Sequence, residues 1–249
     1  MSFKDHFSQH AGDYAKFRPL YPAALFQHLA SIAPGTDLAW DCATGNGQAA
    51  VALAEVFDQV IATDASAAQL GNATPNPKVE YRLAHGEESG LAAHSADLVT
   101  VAQALHWLDI PRFFDEARRV LKPRGVIAFW GYELMNITPG MDRIMQAFYN
   151  ETVGPYWPPE RKIVEEGYRA VEFPFEELEA PPLSMTASWT LFDFVGYIRT
   201  WSAVQRFMKG RGFDPVEQLT ADLAEHWGPP FTTKEIRWPL NLRIGRNSI

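Results

Sequence analysis

An α/β fold built on a doubly wound, mostly parallel sheet is predicted by three features of the sequence. Between residues 38 and 130, short apolar runs alternate with stretches of helical period, the rhythm of a parallel sheet flanked by helices. The first run passes through a glycine turn, Leu38-Ala-Trp-Asp-Cys-Ala-Thr-Gly-Asn-Gly47, straight into a helical pattern. The second run ends on an acid, Asp64, 17 residues beyond Gly47. In such sheets a ligand lies at the carboxyl ends of the strands.

Residues 3–19 are polar and aromatic and include Tyr14 and Arg18. Tyr21-Pro22 opens a helix with Leu25, Leu29 and Ile32 at helical spacing, and Pro34-Gly35 ends it. After the glycine turn, Gln48–Phe57 reads as a helix with Val51, Leu53, Ala54 and Phe57 for one face. Strand Gln59–Thr63, helix Ala65–Gly71 and strand Lys78–Leu83 follow, then a loop rich in Gly, Glu and His, then strand Asp97–Gln103. Pro111 opens a helix whose apolar face is Phe113, Phe114, Ala117, Val120 and Leu121; Lys122-Pro-Arg-Gly125 breaks it before strand Val126–Trp130. Beyond Gly131 the rhythm changes. Residues 139–170 read as helix interrupted at Gly154-Pro155 and Pro158-Pro159, and Val171–Leu178 as a strand. Leu191–Met208 and Pro215–Trp227 read as helices, and Lys234–Ile244 as a closing strand in which Pro239 favours an edge or a bulge. The expected organisation is one domain, 1–249. Within it, 1–34 covers the ligand, 35–131 is the cofactor-binding core, 135–228 is a largely helical cap with one strand, and 234–244 is the final strand.

Composition narrows the function. At 249 residues, with 47% hydrophobic and 21% charged residues, the chain has the makeup of a soluble globular protein. A net charge of −8 argues against a nucleic-acid partner, whose phosphates require a basic face. No run of about 18 apolar residues suggests a membrane span. The N-terminus has no signal-peptide pattern, and the single Cys42 excludes an internal disulfide. The expectation is a cytoplasmic protein, monomer or homodimer. The seven His and one Cys show no metal-ligand spacing, so no metal is expected.

Gly45-Asn-Gly47-Gln-Ala-Ala50 fits the dinucleotide pattern G-x-G-x-x-G/A, which keeps a nicotinamide-dependent oxidoreductase as an alternative. Asp41 points the other way. A carboxylate before the turn repels a pyrophosphate and attracts an ammonium group. Asp64 stands where an acid commonly holds ribose hydroxyls. These residues, the loop Ala84-His-Gly-Glu-Glu-Ser-Gly90, the strand end Gln103-Ala-Leu-His-Trp107, the turn Leu121-Lys-Pro-Arg-Gly125 and the entry Tyr14-Ala-Lys-Phe-Arg18-Pro-Leu-Tyr21-Pro22 come in a telling order. Together they resemble a class I S-adenosylmethionine-dependent methyltransferase, of the small-molecule branch that includes trans-aconitate methyltransferase-like proteins. The resemblance covers the whole chain and is strongest over 38–131.

The resemblance implies a Rossmann-like, seven-stranded sheet whose last strand runs antiparallel, with S-adenosyl-L-methionine as cofactor and S-adenosyl-L-homocysteine as product. It places Asp41, Ala43, Thr44, Gly45 and Gly47 at the cofactor loop, Asp64 at the ribose and Gly86 and Glu87 at the adenine loop, with Ala65 and Gln103 also among the cofactor-binding residues. It also implies that Tyr14 and Arg18 close over the cofactor, Arg18 near its carboxylate. Ala43 stands where the family usually has glycine, a departure expected to shift the backbone only slightly. His85 stands in place of the usual Asp two residues before Glu87.

A sulfonium donor needs alignment and exclusion of water more than covalent catalysis. Trp107, Trp130, Tyr14 and Tyr21 are candidates for cation–π contact with it, core packing being the competing role. His106 is the candidate general base, with shaping of the pocket as the alternative. Tyr21, Trp107, Trp130, Tyr132, Tyr197, Arg199 and Trp201 are the substrate-side candidates; Arg199 suits an acidic acceptor, or else lies exposed beside core aromatics. The expected activity is methyl transfer to a small molecule at oxygen, a carboxylate among the candidates. A cofactor-binding protein without catalysis is the remaining alternative.

Overall fold

In a computed structural model, residues 19–248 are described. The parallel core consists of β1 (Leu38–Cys42), β2 (Gln59–Asp64), β3 (Val79–Leu83), β4 (Ala96–Ala102) and β5 (Leu121–Tyr132). With β6 (Glu176–Leu178), β7 (Ser184–Trp189) and β8 (Lys234–Arg246), these form an eight-stranded sheet. Its main order is β3-β2-β1-β4-β5-β8-β6, with β7 paired to β8 off that path. β8 runs antiparallel to β5, as the resemblance implied. The order reverses at β1 and β4, the kind of switch point where open sheets bind ligands.

Both faces of the parallel strands are covered because their side chains are apolar on both sides. One face packs on α1 (Ala23–Ile32) and α2 (Gln48–Leu53) through Leu25, Phe26, Leu29, Ala50 and Leu53. The other packs on α4 (Ile110–Val120), whose Phe113, Phe114, Ala117 and Val120 are buried. The two phenylalanines alone contribute about 3–6 kcal/mol of burial. α3 (Ala67–Gly71) follows β2, and the Ser66 hydroxyl caps it by accepting from the Gln69 N–H at 3.3 Å.

Several boundaries differ from the sequence expectation. The helix expected over Gln48–Phe57 ends at Leu53 and continues in turns. The Leu121–Gly125 segment does not interrupt the chain between helix and strand; it belongs to β5 as a bulge. Pairing jumps from Ala96 with Leu121 to Leu98 with Val126, and Arg124 takes a φ of 62° within it. The strand expected over Val171–Leu178 shrinks to β6. The helix expected over Leu191–Met208 is two, α7 (Leu191–Arg199) and α8 (Ser202–Arg211), because Trp201 adopts extended geometry between them. α9 (Val216–Trp227) follows. The interrupted helical stretch resolves into α5 (Pro139–Ala147), a π turn (Phe148–Thr152), a 3₁₀ turn (Gly154–Tyr156) and α6 (Arg161–Glu165).

β7 was not foreseen. It pairs with the first half of β8, from Ser184 opposite Pro239 to Trp189 opposite Lys234. Pro239 is tolerated because the β5 register begins only at Leu240. A third buried cluster, joining Tyr132, Met141, Phe148, Phe194, Tyr197 and Trp238, unites α5, the π turn, α7 to α9 and this ribbon beyond the end of β5.

Candidate functional site

The chain leaves β1 through a turn in which alternate residues are left-handed: Ala43 (φ 54°), Gly45 (φ 59°) and Gly47 (φ 84°). Glycine enters this region freely, whereas alanine does so at a cost of about 1–2 kcal/mol. Ala43 thus takes the left-handed form that glycine would take there, at the cost of strain. Part of its cost is offset because Ala has less freedom than Gly to lose on folding. Ala43→Gly is expected to stabilise the protein by about 0.5–1 kcal/mol, read as a higher denaturation midpoint at constant m value.

Asp41, on β1, is fully buried. One carboxylate oxygen accepts from the Thr44 hydroxyl at 2.6 Å, the other from the Thr100 hydroxyl at 2.8 Å. It thus ties the turn to β4. Burial pushes its pKa up to about 6, although both hydroxyls act against this. A raised pKa means that folding favours the neutral acid. That contribution is complete below pH ~4 and is lost as pH rises through about 6. Between pH 5 and pH 8 the wild type is expected to lose about 1 kcal/mol more stability than Asp41→Asn in urea titrations.

Asp64 closes β2 and is nearly buried. One of its oxygens accepts from the Gly45 N–H and the other from the Ser66 N–H, each at 2.8 Å. The acid and the turn therefore form one unit, with half-buried Ala65 between the acid and the cap of α3. Gly86 packs so closely on Cys42 that a Cβ there would stand 2.8 Å from its sulfur. Glu87 accepts from the Asp109 N–H at 2.7 Å, tying its loop to the start of α4. The Gln48 side chain donates to the Pro19 carbonyl at 2.7 Å, which brings the segment before α1 against the turn. Tyr14 and Arg18 lie outside the described residues.

Beside this unit a cavity opens between the sheet and the helices beyond it. The sheet side supplies Gln103, His106, Trp107 and Tyr132; the helical side supplies Tyr149, Trp157, Arg161, Tyr197 and Trp201. Gln103 follows β4 in a left-handed conformation (φ 55°). Its amide nitrogen donates to the Tyr132 carbonyl at 3.2 Å, which fixes the flip, and its buried Oε1 has no partner among the described residues. His106 lies against Trp107 with ring centroids 4.6 Å apart and planes tilted by 46°, and its buried Nδ1 also lacks a partner among the described residues. Burial, then the nearby Arg161 charge, lower its pKa to about 3. Burial thus leaves the ring neutral at physiological pH and weakens it as a base.

The cavity does not gather every candidate. Trp130 is fully buried in the core, with Tyr21 edge-on at 5.5 Å, so the packing role prevails for Trp130. Tyr21 does not line the cavity. Arg199 points away and pairs with Asp214 at 2.8 Å. Tyr197 and Trp201, four residues apart, face inward; Arg199, midway between them, faces outward. The arginine that does line the cavity is Arg161, which sequence reasoning missed. Its guanidinium lies 5.0 Å over Trp157 and donates from Nε to the Tyr149 hydroxyl at 3.1 Å. Among the described residues no carboxylate pairs with it. The Pro-Pro-Glu-Arg-Lys run around it reads as surface and carries no signal for this placement.

A family model for the methyltransferase domain matches residues 40–129, the span holding the turn, Asp64, Glu87 and Gln103. The chain is 36% identical over 225 residues to a protein named as a methyltransferase in Dictyostelium discoideum, covering 89% of this chain and 86% of that one. It is 31% identical over 128 residues to a protein of Saccharomyces cerevisiae described as an S-adenosylmethionine-dependent methyltransferase, of which it spans 44%. A solved structure from Anaeromyxobacter dehalogenans, described as a type II methyltransferase, superposes with a TM-score of 0.89 at 42% identity, over 93% of this chain and 98% of that one. These relatives do not favour the nicotinamide alternative. The left-handed turn, the acid closing β2 and the unpartnered Gln103 oxygen fit an adenosyl cofactor with an ammonium tail, and the chain belongs to the class I S-adenosylmethionine-dependent methyltransferases.

Proposed function

We propose that the protein methylates an oxygen of a small acidic molecule held in the aromatic cavity. The observation that carries this reading is Arg161, a guanidinium with no carboxylate partner among the described residues, on the wall of a cavity lined mainly by rings, with Gln103, Glu133 and Ser202 as its other polar side chains. Bound S-adenosylmethionine supplies a methyl group already activated on a sulfonium. The turn 43–47 and the Gln103 Oε1 receive its amino-acid end, Asp64 with Ala65 its ribose, and Gly86 with Glu87 its adenine. Asp41 acts by holding Thr44 and hence the turn. Tyr14 and Arg18 keep the covering role that the family resemblance gives them. Trp107, Tyr132, Tyr197 and Trp201 exclude water and hold the acceptor flat, so that catalysis is chiefly by positioning. His106, neutral, shapes the wall beside Trp107.

The test is incubation with methyl-labelled S-adenosylmethionine and a panel of small organic acids. Label in an ester or an ether supports the reading. Tight cofactor binding with no transfer to any acid would instead favour a non-catalytic role. The two arginines give a sharper contrast. Arg161→Gln is expected to raise KM for an acidic acceptor about 10- to 100-fold, the loss of one charged hydrogen-bonded pair. Arg199→Gln is expected to leave KM within about twofold, as an exposed ion pair is worth little.

A further inference from the structure

Tyr149 occupies the π turn at the cavity wall, with its ring 4.9 Å from Trp157 and 5.8 Å from Trp201. Its hydroxyl sits between two charges from one short helix. Arg161 donates to it from Nε, and the hydroxyl itself donates to the Glu165 carboxylate. Glu165 is exposed, four residues along α6 from Arg161. The three residues form a hydrogen-bonded line from the cavity to solvent. Irregular helical turns of this kind recur at functional sites.

A carboxylate acceptor is ionised at neutral pH and needs no such line. A carboxylate held by the Arg161 fork would also have its lone pairs engaged. An acceptor hydroxyl is different, because it must shed a proton as its oxygen is methylated. His106 is poorly suited to receive that proton.

We propose that the group methylated is a hydroxyl of a hydroxy acid, and that Tyr149 passes its proton to Glu165. This rests on the acidic-acceptor reading above. The acceptor oxygen gains the methyl as the sulfonium's S–CH₃ bond breaks and its electron pair stays on sulfur. The acceptor proton moves to the Tyr149 oxygen, the Tyr149 proton moves to Glu165, and Glu165 releases it to water. Arg161 stabilises negative charge on the phenol oxygen during the transfer. Tyr149 is the catalytic residue and Glu165 a positioning and relay residue.

The probes are 3-hydroxybenzoate and its nitro-substituted analogues, with benzoate as the control that has a carboxylate alone. Binding is read first, by tryptophan fluorescence of the adenosylhomocysteine complex. The hydroxybenzoate is expected to bind at least fivefold tighter than benzoate, and less tightly to Tyr149→Phe. In turnover, the product is expected to be an alkali-stable ether. Tyr149→Phe should lower kcat about 100-fold while KM rises only about fivefold, in step with the weaker binding. Glu165→Gln should lower kcat about 10-fold, and Glu165→Asp should restore part of it. Both defects should shrink as nitro groups make the hydroxyl more acidic, a trend that loss of packing would not produce. Because Glu165 is exposed, Glu165→Gln carries the test if Tyr149→Phe fails to fold. Ester formation from benzoate would overturn the relay while leaving methyl transfer to an acid intact. Equal or absent binding of both probes, or defects independent of hydroxyl acidity, would overturn the relay as well. Failure of adenosylhomocysteine itself to bind would strike the underlying activity instead.

Discussion

Asp64→Ala will weaken adenosylhomocysteine binding by about 1–3 kcal/mol, roughly 5- to 150-fold, as charged hydrogen bonds are lost. In the proposed binding mode two contributions add: the carboxylate no longer meets the ribose, and the Gly45 and Ser66 N–H groups lose their acceptor. The second loss loosens the turn proposed to receive the amino-acid end, so one substitution disturbs both ends of the cofactor. Calorimetric titration separates this from simple unfolding, because the folded protein retains its stoichiometry while its affinity falls. Asp64→Asn, which keeps one oxygen acceptor, should lose less. Unchanged affinity in Asp64→Ala would remove the acid from the site.

Gly47→Ala will cost about 2 kcal/mol of stability and more in cofactor affinity than Ala43→Gly changes in either direction. Its φ of 84° is left-handed, and an added Cβ would meet the Tyr81 hydroxyl at 2.2 Å. Tyr81 is held there by donating to the Thr74 carbonyl at 2.7 Å, so relieving the clash breaks a hydrogen bond as well. Strain of about 1–2 kcal/mol, a lost bond near 1 kcal/mol and a partly compensating entropy gain give this figure. Chemical denaturation measures it directly. A denaturation midpoint equal to wild type would mean that the turn is not held in its left-handed form.

The cofactor half of the molecule was legible because its physics is local. Apolar runs bounded by Gly and acid mark β1 and β2, and the positions of Asp41, Asp64 and Gly47 follow from those strands. Ala43 showed the limit of that reading: its identity was visible, but its left-handed φ was not. The helical half depends on contacts distant in sequence. Ser184–Trp189 alternates polar with apolar residues, a strand period that went unread because Met185 alone is buried and the run lies between prolines and a helix; β8 supplies its partner. The apolar residues of 191–208 continue at helical spacing across Trp201, which hides the break there. Helical phase alone already sets Arg199, two residues from Tyr197 and from Trp201, on the opposite face from both. Arg161 was passed over because it follows two prolines in a charged stretch that reads as surface.

The most direct measurement of the central claim is a crystal structure after soaking with adenosylhomocysteine. The account predicts its sugar hydroxyls at the Asp64 carboxylate, its amino-acid end within the turn 43–47 beside Gln103, and its sulfur facing the cavity that holds Tyr149 and Arg161. Density for the ligand elsewhere, or a crevice that accepts a dinucleotide and not adenosylhomocysteine, would contradict it.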